Sequence, residues 1–225
     1  CLHNSGEQWE INQTINTNML KYWRSHQPQA KMLAMGTSCS YSCDLPMVEE
    51  HYMSGDPDEG LYTYAMTKRM LLQGLRAINK QYGLNYSYFI PSTLYGSEYD
   101  SDDKHFIFDL FRKIKNGVNG ESVTLWGDGN QRRELIHIDD AVGLMIKLMD
   151  TKVPIVNLSS GEDYSIKQYA SEICKFLGYD PYKINYDESK YVGVLRKNLD
   201  VTLIKKLVPS FEFTPLSEGI KCLDS

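Results

Sequence analysis

Between residues 10 and 91 helix-like and strand-like segments alternate, and this order constrains the fold more than any other feature. Over residues 10–23, Ile11, Ile15, Met19 and Tyr22 or Trp23 recur at three- and four-residue spacing, which predicts an amphipathic helix ended by Pro28. Residues 31–35 form a short apolar run stopped by Gly36, as a buried parallel strand is on leaving its sheet. A long helix is predicted over residues 64–82, with Met66, Met70, Leu71, Leu75 and Ile78 on its apolar face and Gly83 closing it. Residues 85–90 read as the next strand, stopped by Pro91. This sequence of elements implies a parallel α/β sheet. Ligands of such sheets bind beyond the carboxyl ends of the strands, where the Gly36 and Pro91 loops would lie.

After an acid-rich loop (98–103) the pattern predicts a helix over 105–116 with Phe106, Ile107, Leu110, Phe111 and Ile114 inward. Strands follow at 123–126 and 155–158. Between them, Asp139 and Asp140 are expected to cap a helix carrying Val142, Leu144, Met145 and Leu148. Ser165 with Gln168 makes a capping-box pattern ahead of Ile166, Tyr169, Ile173 and Leu177.

Composition narrows the classes. With 42% apolar residues, 24% charged residues and a net charge of -5, the chain reads as an ordinary globular protein of one or two domains. It holds no run of about 18 apolar residues for a membrane span and no basic patch for a phosphate backbone, so neither membrane nor nucleic acid is an expected partner. The five cysteines are odd in number and lack paired ligand spacing, and the five histidines are isolated. No metal site is expected, and a reduced, cytoplasmic setting is. No signal-peptide pattern opens the chain, and its first residue is Cys1 rather than Met, so Cys1 is expected to be internal to a longer protein.

Tyr64 and Lys68 stand four residues apart, on one helix face and within reach of a common ligand. A neighbouring ammonium favours the phenolate, which predicts a lowered phenol pKa and a usable acid or base. On spacing alone a surface contact remains open. The strand stopped by Gly36-Thr37-Ser38 before this helix, and the strand ending in Pro91 after it, together resemble the Ser/Thr, Tyr, Lys arrangement of the short-chain dehydrogenases/reductases.

Two further stretches resemble the extended, NAD-dependent epimerase/dehydratase branch acting on nucleotide sugars, nearest its GDP-L-fucose synthases. They are Gly36-Thr-Ser-Cys39, with His105 41 residues past Tyr64, and the run from Leu125-Trp-Gly-Asp-Gly-Asn-Gln-Arg-Arg to Asp140. The resemblance implies catalytic roles for Thr37, Ser38, Cys39, Tyr64, Lys68 and His105. It implies cofactor contacts from Gly36, Thr37, Tyr64, Lys68, Pro91, Ser92, Thr93, Leu94 and His105, and substrate contacts from Lys113, Trp126, Arg133 and Arg196. The implied cofactor is NADP or NAD, and the implied substrate a nucleotide sugar, GDP-linked, undergoing 3,5-epimerisation and reduction of a 4-keto group. The implied assembly is a homodimer. Ser38-Cys39 stands where sugar dehydratases carry Asp-Glu, which argues against dehydration; a 4-epimerase is the enzyme alternative. Thr37 in place of Ser and Thr93 in place of Asn depart from the pattern.

The implied fold is α/β: the later part of a Rossmann-type parallel sheet over residues 1–97, and a smaller α/β substrate lobe over 98–225, with sheet elements returning around 123–160. The sequence contains no G-x-G-x-x-G or G-x-x-G-x-x-G turn to meet a pyrophosphate. Roughly 70 residues, about two βαβ units, are expected to be missing from the amino-terminal side. A competing expectation is that the chain is a catalytically silent fragment or one half of a split protein.

Overall fold

The computed structural model describes residues 4–97, 105–190 and 193–224. In chain order the elements are α1 (Ser5–His26), β1 (Met32–Met35), α2 (Tyr62–Tyr82), β2 (Tyr86–Pro91), β3 (Thr93–Tyr95), α3 (Phe106–Val118), β4 (Thr124–Trp126) and β5 (Arg132–His137). They continue with α4 (Ile138–Leu148), β6 (Ile155–Leu158), β7 (Asp163–Ser165), α5 (Ile166–Leu177), β8 (Asn185–Asp187), α6 (Thr202–Leu207) and α7 (Leu216–Lys221). The acid-rich loop expected at 98–103 lies outside the described residues. Among the described residues no helix is long and apolar enough to cross a membrane.

The chain divides into two compact units. The first comprises Cys1–Ser92, Ala141–Ser159 and Leu199–Phe211. Its sheet has the order β1-β2-β6 with both pairings parallel, Met35 opposite Phe89 and Pro91 opposite Leu158. Burial pattern explains the strand type: in β2 every residue from Ser87 to Pro91 is buried, as a strand covered on both faces requires. Gly83 ends α2 in the left-handed conformation at φ 71°, which residues with a Cβ rarely adopt, and donates its N–H to Asn79 O at 2.8 Å.

The second unit comprises Thr93–Asp140, Ser160–Asn198 and Glu212–Ser225. There β3 runs parallel to β5, β7 pairs antiparallel with β5, and β4 runs parallel to β8. The expected stripe of α3 is inward, with Ile107, Leu110, Phe111 and Ile114 all buried against Tyr169, Ala170 and Ile173 of α5. The capping box of α5 is formed: Ser165 Oγ accepts from Gln168 N at 3.1 Å, and Gln168 Oε1 accepts from Ser165 N at 2.8 Å.

Three expectations need correction. On α1 the apolar stripe points outward, with Ile11, Ile15, Met19 and Tyr22 exposed at 51%, 54%, 51% and 53%, and Trp23 is the buried residue. On α2, Leu75 is buried and Leu71 and Ile78 pack against the core as expected, but Met70 is exposed, and Ala65, Thr67, Arg69 and Leu72 complete the buried face. Asp139 and Asp140 lie inside the first turn of α4 rather than capping it. His137 Nδ1 accepts from Asp139 N at 3.3 Å, and Asp140 accepts from Thr214 N and Oγ1 at 2.8 and 2.9 Å.

Candidate active site

In the first unit the end of β1 and the start of α2 meet. Gly36 N donates to Phe89 O at 2.7 Å, extending the β1–β2 ladder past the strand end. A Cβ here would lie 2.5 Å from Tyr88 Cε1 and 2.9 Å from the Tyr52 hydroxyl, so the backbone passes these phenols only because the residue is glycine. Thr37 then adopts extended geometry and its Oγ1 accepts from Cys39 N at 3.2 Å, turning the chain into a 3₁₀ turn over Ser38–Ser40. Behind that turn, Tyr52 Oη accepts from Thr37 N at 3.4 Å and lies 3.0 Å from Tyr88 Oη, which donates to Lys68 O at 2.8 Å. Ser38 and Cys39, in the same turn, are half-buried.

From α2, the half-buried Tyr64 phenol faces the Thr37 side chain, whose hydroxyl pulls the phenol pKa down. The Thr37 oxygen already accepts from Cys39 N, so its own hydrogen is available to the phenol oxygen. Lys68 Nζ stands 5.9 Å from the centroid of the Tyr64 ring and donates to Met35 O at 3.3 Å. Thr37, Tyr64 and Lys68 thus form one cluster at the carboxyl end of β1.

The electrostatics differ from the prediction. Burial pushes the Tyr64 phenol up and outweighs the Thr37 hydroxyl that pulls it down, with the Cys39 sulfur adding a little upward. Burial pulls the Lys68 ammonium down. The phenol is thus shifted up rather than down as expected, because burial outweighs the groups that favour the phenolate. Without a ligand, Tyr64 is a protonated acid.

One residue beside this cluster escaped the sequence reading. Arg69, on the buried face of α2, donates from Nε and Nη2 to Ser40 O at 3.0 and 2.6 Å, from Nη1 to Gly55 O at 2.7 Å and from Nη2 to Ser54 O at 3.0 Å. The available signal was its register: position 69 falls four after Ala65 and three before Leu72, on the buried face.

Other expected residues lie at the end of β2 and in the second unit. Pro91 pairs with Leu158, and Ser92 N donates to Leu158 O at 3.0 Å. Ser92 Oγ is a buried hydroxyl with no hydrogen-bond partner among the described residues. Thr93 and Leu94 belong to β3. His105 is the exposed N-cap residue of α3, and its carbonyl accepts from Asp109 N at 3.1 Å.

Lys113 is ion-paired with Asp109 at 2.8 Å and shares a cavity of about 490 Å³ with Phe106, Trp126 and Gln131, where Trp126 is 58% exposed. Arg133 Nη1 donates to Arg132 O and Val194 O, both at 2.8 Å, and burial pulls its guanidinium down. Arg196 Nε meets Asp163 Oδ2 at 2.6 Å, and Arg132 Nη2 lies 3.0 Å from Asp163 Oδ1. Burial alone would raise the Asp163 carboxyl, but the two guanidinium groups outweigh it and hold it at about 2. Lys113 and Trp126 are thus brought into one cavity, and Arg196 is tied to a carboxylate. Among the described residues no group of three His, Cys, Asp or Glu is placed to hold a metal ion.

Comparison with known proteins gives this arrangement a context. Residues 1–166 match the model of the NAD dependent epimerase/dehydratase family. GDP-L-colitose synthase of Yersinia pseudotuberculosis is 33% identical over 186 residues, covering 78% of this chain and 60% of that protein. GDP-L-fucose synthase of Escherichia coli (strain K12) is 29% identical over 214 residues, covering 87% of this chain and 66% of that protein. The chain therefore spans about 60 to 66% of the length of these curated relatives. A crystal structure of a GDP-L-fucose synthetase from Naegleria fowleri superposes with a TM-score of 0.87 at 22% identity, covering 98% of this chain and 72% of that one. The same protein bound to NADP gives 0.85 at 22% identity, covering 96% of this chain and 73% of that one. These likenesses establish the Rossmann-type α/β fold. By its match over most of its length, the chain belongs to the NAD dependent epimerase/dehydratase family.

Proposed function

We propose that the complete protein reduces a GDP-linked 4-keto sugar with NADP or NAD as cofactor, after epimerisation at the two carbons beside the ketone. The observation that carries this reading is the cluster of Thr37, Tyr64 and Lys68 at the end of β1, in a chain whose curated relatives are named GDP-L-colitose and GDP-L-fucose synthases.

The residues present fit the nicotinamide end of such a cofactor. Lys68 carries three donors and Met35 O takes one, leaving capacity for ribose hydroxyls. Gly36 brings the backbone close with no side chain in the way, and Ser92 Oγ is a buried hydroxyl still lacking a partner. Gly36, Thr37, Tyr64, Lys68, Pro91 and Ser92 would hold the group, with Thr93, Leu94 and His105 as further candidates. When bound, the cofactor supplies hydride to carbon 4 of the sugar.

The chain's own residues then do the following. Tyr64, kept protonated by burial, gives its proton to the oxygen at carbon 4 as that oxygen gains charge. The Thr37 hydroxyl beside the phenol, and the Lys68 ammonium 5.9 Å from the ring centroid, would favour the phenolate that the transfer leaves behind. Ser38 is a second hydroxyl for the sugar oxygen. Cys39 and His105 are the proton carriers at the flanking carbons. Lys113 and Arg133 suit the diphosphate, and Trp126 offers an exposed face to the base.

The outward stripe of α1 supports a homodimer in which it is covered: Ile11, Ile15, Met19 and Tyr22 are all more than half exposed, and α1 packs against α2 of the same unit. The four described cysteines are all free thiols, which supports a reducing, cytoplasmic setting.

The test uses the complete protein with NADPH and a GDP-4-keto-6-deoxy-hexose in deuterated water. The reading expects oxidation of the cofactor, and deuterium at both flanking carbons that is lost in the Cys39→Ser, His105→Gln double variant. Deuterium undiminished in that variant overturns the epimerase part, and no NADPH consumption overturns the whole.

A further inference from the structure

We propose that Arg69 is a positioning residue that holds the Thr37–Ser40 turn in register with Tyr64; its effect on turnover rests on the function proposed above. The turn is pinned at both ends. At its start Thr37 N donates to Tyr52 Oη, and at its finish Ser40 O accepts both Nε and Nη2 of Arg69. The same guanidinium takes Ser54 O and Gly55 O, the residues that directly follow the Tyr52 segment. One side chain of α2, next in sequence to Lys68, therefore fixes the turn that carries Thr37 and Cys39 and the segment that backs it. Ser40 Oγ adds a second tie to α2 by donating to Ala65 O at 3.0 Å.

The chemistry of the arrangement favours geometry over charge balance. Arg69 is 4% exposed, and all four of its hydrogen bonds go to backbone carbonyls; no carboxylate lies within ion-pair distance of it among the described residues. Burying a guanidinium with no carboxylate in direct contact is costly, and burial pulls its pKa down despite Asp56 nearby. What that cost secures is a planar fork that sets three carbonyls at fixed directions, which a single ammonium cannot reproduce. Tyr64 lies on the same helix as Arg69 and its phenol neighbours Thr37, so a shift of the turn by even part of an ångström moves the Thr37 hydroxyl relative to the phenol.

The experiment compares Arg69→Met and Arg69→Lys in the complete protein with the wild type. In Arg69→Met, kcat for NADPH oxidation is expected to fall roughly 30- to 100-fold while KM for the sugar nucleotide changes by less than about threefold. Arg69→Lys recovers part of that loss. In a Thr37→Ala background, Arg69→Met is expected to cost little more, because the contact it protects is already gone. An independent readout needs no turnover: the alkylation rate of Cys39 by iodoacetamide rises about tenfold in Arg69→Met, while amide exchange in β2 stays slow. Unchanged kcat and alkylation overturn the proposal, as does full multiplicativity with Thr37→Ala. Loss of β2 protection in step with kcat overturns it in favour of a general folding role. If the wild type consumes no NADPH, the proposed function fails by itself, and alkylation of Cys39 still decides the role of Arg69.

Discussion

Tyr64 and Lys68 in the first unit and Lys113 and Arg196 in the second are all polar side chains at partly buried or exposed positions, yet they are held in opposite ways. The first pair is satisfied by neutral groups, a threonine hydroxyl and the Met35 carbonyl, and burial drives both toward their uncharged forms. The second pair is held by carboxylates, Lys113 by Asp109 at 2.8 Å and Arg196 by Asp163 at 2.6 Å, so their charge is already balanced. A group poised near neutrality suits proton transfer, whereas a balanced cation gives up part of its attraction for a diphosphate. Under the proposed function, the acid that serves carbon 4 therefore lies in the first unit, whereas the basic residues Lys113 and Arg196 of the second serve its own structure as well as any ligand.

The largest effect that follows is on turnover. Tyr64→Phe removes the proton donor and is expected to lower kcat by about 10²- to 10⁴-fold with the fold intact, measured by NADPH oxidation and circular dichroism. Equal turnover in the variant breaks the contrast at its stronger side.

Next comes Asp163→Asn, which leaves Arg132 and Arg196 without their shared carboxylate and is expected to destabilise the second unit by about 2 to 4 kcal/mol in denaturant unfolding. The same carboxyl predicts a pH dependence. Its folded pKa, about 2, lies below the ordinary 3.8, so its contribution is fully present above pH 4 and is lost as the pH falls from 4 toward 2. Acid unfolding of Asp163→Asn should accordingly be flatter across that window.

A smaller effect is expected at Lys113. Because Asp109 balances it, Lys113→Met should raise KM for the sugar nucleotide only about three- to tenfold, and Asp109→Asn should lower it. A rise in both variants would show that the pair acts as one structural unit.

How legible was this from the sequence? The helices α2, α3 and α5 and strands β1, β2 and β6 were readable because their signals are local: a stop at Gly83, a capping box at Ser165, buried runs before Gly36 and Pro91. Strands β3, β5, β7 and β8 were not, since three to six residues carry too little periodicity and their partners are distant in the chain. Faces were harder than elements. The stripes of α1 and α3 look alike on paper, but α3 is covered by α5 while that of α1 is open. Spacing gives the stripe and not what covers it. In the site, Tyr64 and Lys68 stood out by their spacing together with the strand ends at Gly36 and Pro91, whereas Arg69 belongs to no motif and depends on carbonyl partners 14 to 29 residues away. The direction of the Tyr64 shift also depended on burial, which no spacing encodes.

Titration of Tyr64 tests the central contrast most directly, using ¹³Cζ-labelled tyrosine and assigning the signal by its absence in Tyr64→Phe. The account predicts a phenol that remains protonated at pH 10, held there by burial despite the neighbouring ammonium. A Tyr64 signal that titrates below pH 9 would contradict it.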